Sequence, residues 1–174
     1  NGKGNALSGL KQYSEAIICY DKALEINPSF KPARSNRVLY YLMFQQYDKA
    51  LVDLNRAIDL KKDKDSDWYL HLRSLTYKAL NQPEQAHTDL VNAVKLAKPK
   101  YDENPQNWNN TLNLALYYLA FDDISTAKRL YELVLSQSAL PGHIHMAIRG
   151  LDDFLTVFPN NKKAQTMRML LDSK

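Results

Sequence analysis

The stretch Tyr13-Ser-Glu-Ala16-Ile-Ile-Cys-Tyr20-Asp-Lys-Ala23-Leu24 returns 34 residues later as Tyr47-Asp-Lys-Ala50-Leu-Val-Asp-Leu54-Asn-Arg-Ala57-Ile58. The small residues stay small and the large apolar ones stay large. A fixed period of this length is the mark of a two-helix unit that cannot bury its apolar face alone and must stack on its own copies. The echo continues with drift, Ala86 following Ala50 by 36 residues and Ala127 following Ala86 by 41. The small positions mark where helices approach most closely, so larger side chains there would overpack at a cost of about 1–3 kcal/mol. The large positions fill the wider gaps beside them. These residues therefore account for fold rather than function.

The repeated stretch resembles the tetratricopeptide repeat family. That pattern asks for a small residue at the eighth position of its unit, an aromatic at the eleventh, Ala at the twentieth, an aromatic at the twenty-fourth, Ala at the twenty-seventh and Pro at the thirty-second. The first unit supplies Gly4, Leu7, Ala16, Tyr20, Ala23 and Pro28, and the second Val38, Tyr41, Ala50, Leu54, Ala57 and Lys62. The third supplies Ser74, Tyr77, Ala86, Leu90, Ala93 and Lys98, and the fourth Ala115, Tyr118, Ala127, Tyr131, Val134 and Ala139. The closing proline survives only in the first unit. The resemblance implies an all-α chain, a right-handed superhelical solenoid of antiparallel helix pairs with about ten helices.

Composition agrees with one helical domain. The chain has 174 residues, 45% of them hydrophobic and 24% charged, with only five glycines and no strand-like alternation. No apolar run reaches the length of a membrane span, so no membrane partner is expected. A single cysteine, Cys19, excludes an internal disulfide framework and points to a reducing, cytoplasmic setting.

Taken in order, helices are expected near 1–9, 13–26, 29–44, 47–60, 66–80, 83–97, 105–121 and 124–137, followed by a final pair. Ser29, Ser66 and Asn104 are the expected caps, with Pro105 opening its helix. Three units are expected over 1–98, a fourth and divergent unit over 99–139 after an inserted loop, and an atypical terminal helix pair, a cap, over 140–174, all in one continuous solenoid. In the last pair Ile144, Ala147, Ile148, Leu151, Leu155 and Phe158 trace one helical face. Asn1 falls inside the expected first helix of the first unit, so the chain is expected to be a piece of a longer protein.

In the family, the first helix of each unit lines a concave groove. The resemblance carries this role to Asn5, to Ser35, Asn36, Leu39 and Met43, to Trp68, His71, Leu72 and Leu75, and to Asn109, Asn113 and Leu116. The expected function is a non-catalytic module that holds a protein or peptide segment in that groove. An alternative is the regulatory or sensory repeat region of a multidomain bacterial enzyme. Asn5 and Asn36 also fall on the asparagines of the family's carboxylate-clamp subclass, which holds the acidic tails of heat-shock chaperones. The clamp cations are missing, since Asn1, Trp68 and Leu72 stand in their places and Arg73 lies one position off that face.

Other classes find less support. His71, His87, His143 and His145 are dispersed, and no nucleophile motif or phosphate-binding loop occurs, so no catalytic residue, metal or cofactor is expected. Asp122 and Asp123 are expected to cap a helix, and Asp152 and Asp153 to face water. The net charge of +4 is spread over loop lysines interleaved with Asp63, Asp65, Asp102 and Glu103, which argues against the continuous basic stripe of a nucleic-acid binder. No sequence feature sets an oligomeric state.

Overall fold

The computed structural model describes residues 13–60, 66–137 and 141–172, and nine α-helices account for the regular structure among them. They are α1 (Tyr13–Ile26), α2 (Lys31–Met43), α3 (Tyr47–Leu60), α4 (Ser66–Ala79), α5 (Pro83–Glu103), α6 (Trp108–Ala120), α7 (Ile124–Ser136), α8 (Pro141–Val157) and α9 (Lys162–Asp172). From α1 to α7 each helix packs on the next, as stacked helix pairs must. The expected helix over 1–9, with Asn5, lies outside the described residues.

The repeat positions are buried in register. Ala16, Ala50, Ala86 and Ala127 are essentially inaccessible, as are Val38, Ser74 and Ala115 at the matching place on the first helices. Tyr20, Leu54, Leu90 and Tyr131 fill the gaps next to them. The turn between the two helices of a unit also repeats. Gln45, Asn81 and Asp122 adopt left-handed backbone, with φ of 56°, 57° and 70°. In each, the following amide donates back five residues: Gln46 to the Tyr41 carbonyl, Gln82 to Tyr77, Asp123 to Tyr118. This is the Schellman closure, which satisfies carbonyls that a helix end would otherwise leave open.

Arginine staples join neighbouring units. Arg37 of α2 grips Asp53 of α3 through Nε at 2.7 Å and Nη2 at 2.6 Å, and reaches Asp21 of α1 through Nη1 at 2.6 Å. One unit later Arg73 repeats the arrangement with Asp89 at 2.7 and 2.8 Å and Asn55 at 2.7 Å. In the fourth unit the two positions are Leu114 and Leu130, both buried. An ion pair has there been exchanged for an apolar contact of the kind that costs a fold little or nothing.

Several local expectations are corrected. The helix expected to stop near Ala97 continues to Glu103 through Pro99, so the surplus residues mostly extend α5 instead of looping out. The extension is held by contacts made across and beyond the proline: Lys98 pairs with Asp102 at 2.6 Å, and Lys100 reaches Asp67 at the start of α4 at 2.8 Å. There Asp67 also accepts from the buried Tyr117 hydroxyl of α6 at 3.0 Å, so the longer helix closes a polar junction among three helices. Asn104 caps nothing in α6, which starts at Trp108; its side chain instead accepts from the Gln106 amide. Ser29 likewise belongs to a turn on the Asn27 side chain, and α2 starts at Lys31. Asp123 does cap α7, accepting from the Thr126 amide at 3.1 Å, whereas Asp122 forms the turn and pairs with Lys163 at 2.6 Å.

Candidate functional site

The first helices α2, α4 and α6 each have two working sides. One carries the staple arginines Arg37 and Arg73, whose guanidinium groups are spent on Asp53, Asp21, Asp89 and Asn55. The other side, offset by about one residue, forms a shared face. Ser35, Asn36 and Leu39 of α2, Trp68 of α4, and Leu112, Asn113 and Leu116 of α6 line a single pocket of about 230 Å³. Residues 35–39, 68 and 112–116 come from three units, so only the stacking of the array brings them together.

The fourth wall of the pocket is α8, through Met146, Ala147, Arg149, Gly150 and Asp153. This helix packs on α2, α4 and α6, while the array's last helix, α7, is packed instead by α9. Gly150 marks the closest approach: a Cβ built there would lie 2.8 Å from Cδ1 of Leu116. Further along α8, Val157 packs against the core of Val38, Leu42 and Leu54. On the opposite flank His143 meets Trp108, with ring centroids 6.5 Å apart.

Electrostatics at this contact are mixed. Burial pushes the Asp153 carboxyl up to about 6, although Arg149 one turn away on α8 pulls the other way. Asp153 therefore faces the array, not water as its sequence neighbourhood suggests; Asp152 beside it is exposed and pairs with Arg168 at 2.6 Å. Burial also pushes the Tyr20 hydroxyl up to about 12, against a hydrogen bond with Asn36 and the nearby charge of Arg149. The Ser35 hydroxyl is buried with no hydrogen-bond partner.

Six of the residues expected in the groove thus meet in one place: Ser35, Asn36, Leu39, Trp68, Asn113 and Leu116. Met43 is half-buried on α2 and Asn109 exposed on α6, both outside the pocket. His71, Leu72 and Leu75 are core residues. His71 packs against Tyr117 at 4.8 Å and Trp68 at 5.7 Å, and burial with the nearby Lys78 charge brings its imidazole down to about 3, so it is neutral at physiological pH. All three lie on α4, where nine of the fourteen residues are buried, so the register that places them on the groove side of a first helix places them inside the array here. The α8 residues carry the site's unforeseen part. Their signal was the pair of small residues Ala147 and Gly150 three apart on a helix, Ala147 at the edge of the apolar stripe and Gly150 outside it.

The family model described as tetratricopeptide repeat matches residues 1–30. The protein STIP1 homolog of Dictyostelium discoideum is 35% identical over 94 residues, 54% of this chain and 16% of that protein. Serine/threonine-protein phosphatase 5 of Homo sapiens is 37% identical over 99 residues, 53% of this chain and 19% of that protein. Hsp70-Hsp90 organizing protein 1 of Glycine max is 29% identical over 103 residues, 58% of this chain and 18% of that protein. The chain thus spans less than a fifth of the length of these curated relatives. Among solved structures, MamA is 18% identical and superposes with a TM-score of 0.49, covering 98% of this chain and 92% of that one. With the repeat positions buried in register and the same turn closing successive units, the chain is a helical repeat array similar to the tetratricopeptide repeat proteins that it matches.

Proposed function

We propose that the face built by α2, α4 and α6 binds a segment of a partner protein, and that the chain is a non-catalytic interaction module. The carrying observation is that side chains from three units converge on one pocket and already hold a helix there. Stacked units keep these side chains in place before binding, so the ordering cost falls on the ligand. The pocket offers both kinds of contact a segment needs, apolar from Leu39, Trp68 and Leu116 and polar from Ser35 and Asn113.

The activity in the name of serine/threonine-protein phosphatase 5 is not carried over, because the match covers 19% of that protein. Nor does the face favour an acidic chaperone tail of the kind suggested by the name Hsp70-Hsp90 organizing protein. Trp68 and the buried Leu72 stand where clamp cations would, and Arg73 is committed to Asp89 and Asn55. A carboxylate brought there would be desolvated without charge-assisted donors. The single cysteine is in keeping with a reducing, cytoplasmic setting.

The test compares capture of proteins from nuclease-treated lysate by the full chain and by a Leu39→Glu/Asn113→Arg variant. Both positions are half-buried, so the substitutions change the face and spare the core. Leu75 is unsuitable, being buried in the main core. Loss of a protein from the variant alone, with both baits equally helical by circular dichroism, supports the reading. Equal capture by both refutes it.

A further inference from the structure

Continuing the array would place α8 beside the last unit. It instead crosses to α2, α4 and α6, which are the first helices of three different units. Its residues divide into two stripes. Ile144, Ile148, Leu151 and Leu155 belong to the apolar stripe that closes a core with Ala164, Met167 and Leu171 of α9. A second stripe, His143, Met146, Ala147, Gly150, Asp153 and Val157, recurs every three or four residues and meets the array. A helix that merely capped the end of a solenoid would need only the first stripe. The second has the chemistry of a ligand.

Resting on the proposal that this face binds protein segments, we propose that α8 is its intramolecular occupant, and that the partner ligand is an amphipathic helix built like α8 which must displace it. The recognised pattern is a pair of small residues three apart at the closest approach, with an apolar residue directly before the first and another two turns after the second. Gly150 marks the tightest point, because a Cβ there would lie 2.8 Å from Cδ1 of Leu116 and any side chain must push the Leu116 side chain aside. Ala147 and Gly150 let the two helix backbones close; Met146 and Val157 supply the flanking apolar contacts.

Three observations make α8 a replaceable occupant. It leaves about 230 Å³ of pocket between itself and the three helices it covers. It also brings Asp153 into the contact with no ion pair among the described residues, and it offers no partner to the Ser35 hydroxyl. A buried carboxylate without a partner weakens its own docking. A partner helix with an amide or hydroxyl in place of Asp153, and more bulk facing the pocket, therefore competes on better terms. Occupancy in cis lowers apparent affinity by the fraction of molecules whose face is open, so the arrangement acts as a threshold against weak ligands.

The test uses the full chain and a fluorescent peptide with the sequence of residues 141–157, read by anisotropy. Gly150→Glu, which puts a carboxylate against Leu116, is expected to open the face and bind the peptide at least about tenfold more tightly than wild type. Gly150→Ala should fall between them. A peptide carrying Asn in place of Asp153 should bind the opened chain more tightly than the natural sequence at pH 7.5. Should Gly150→Glu lose its helical signal, amide exchange on wild type with excess Asn-substituted peptide takes its place: α8 should lose protection while α2 and α6 keep theirs. Equal peptide binding by wild type and Gly150→Glu, or unchanged α8 protection under saturating peptide, overturns the proposal. Failure here is separable from failure of the binding face. If capture of a partner depends on Leu39 and Asn113 but not on Gly150, the face stands and occlusion falls; if capture ignores Leu39 and Asn113, the face itself falls.

Discussion

Asp53→Ala is expected to lower the unfolding free energy by about 3–5 kcal/mol, the cost of breaking a buried pair and leaving its partner uncompensated. The size follows from what Asp53 holds. Its carboxylate accepts from Arg34 Nη1 at 3.0 Å, from Arg37 Nε at 2.7 Å and from Arg37 Nη2 at 2.6 Å. Arg34 is only 3% exposed and Asp53 4%, so neither can turn to water without opening the α2–α3 contact. Burial already pulls the Arg34 pKa down, with Asp53 as the main opposing influence. Without Asp53, Arg34 keeps the Pro28 carbonyl but no carboxylate among the described residues, whereas Arg37 keeps Asp21. Asp21 is the internal control: its side chain is 42% exposed, so Asp21→Ala should cost about 0.2–1 kcal/mol. Urea unfolding followed by circular dichroism measures both, and amide exchange should place the Asp53 loss in α1 to α3. A loss below about 1 kcal/mol for Asp53→Ala would show that Arg34 regains solvent locally, and the staple would then be a surface contact in energetic terms.

The same reasoning predicts that Arg73→Leu/Asp89→Leu, which copies Leu114 and Leu130 of the fourth unit, stays within about 1 kcal/mol of wild type, while Asp89→Leu alone costs at least about 2 kcal/mol; a double-mutant cycle in urea checks it. Tyr117→Phe should cost about 1.5 kcal/mol, the worth of a hydrogen bond to a charged acceptor, and Asp67→Ala more, because it removes the acceptor of the buried Tyr117 hydroxyl together with the Lys100 ion pair. Gln45→Gly should stabilise by about 0.5–1 kcal/mol by relieving the left-handed backbone at φ 56°, seen as a raised thermal midpoint. The α8 contact should tighten as pH falls. Asp153 is raised from 3.8 to about 6 in the folded chain, so the folded state binds its proton more strongly. The cost is present in full above about 6 and is relieved as pH drops toward 3.8. The groups near it are Arg149 and Asp152 on α8, with neutral Ser35, Asn36 and Asn113 across the pocket. Protection of α8 against amide exchange, corrected for intrinsic rate, should rise between pH 7.5 and pH 5; Asp153→Asn should flatten that difference, and an unchanged slope would contradict the burial of this carboxyl.

Much of the array was legible without coordinates because close packing repeats. Ala16, Ala50, Ala86 and Ala127 had to be small at a helix crossing, and an aromatic or leucine had to fill the space next to each. The pocket under α8 was legible only in part. Ser35, Asn36, Leu39, Trp68, Asn113 and Leu116 fell on it, yet His71, Leu72 and Leu75, from the same helical positions by family analogy, fell inside. Sequence spacing gives the side of a helix to within a residue or so. The depth of that side depends on how closely the next helix arrives. The extension of α5 beyond Pro99 shows the same division, since its reward is Lys100 reaching Asp67, a partner 33 residues away.

The repeat is enough to make this a stacked helical array, because small and large residues recurring at one period have no other way to bury their apolar faces. It determined the unit turns and the contacts local to each unit for the same reason. What covers the face of α2, α4 and α6 was settled by packing between units. Whether α8 ends the array or lies across it depends on contacts among residues 35, 68, 116 and 150, which are remote along the chain and meet only once the units have stacked. No periodicity encodes such a meeting, because it happens once.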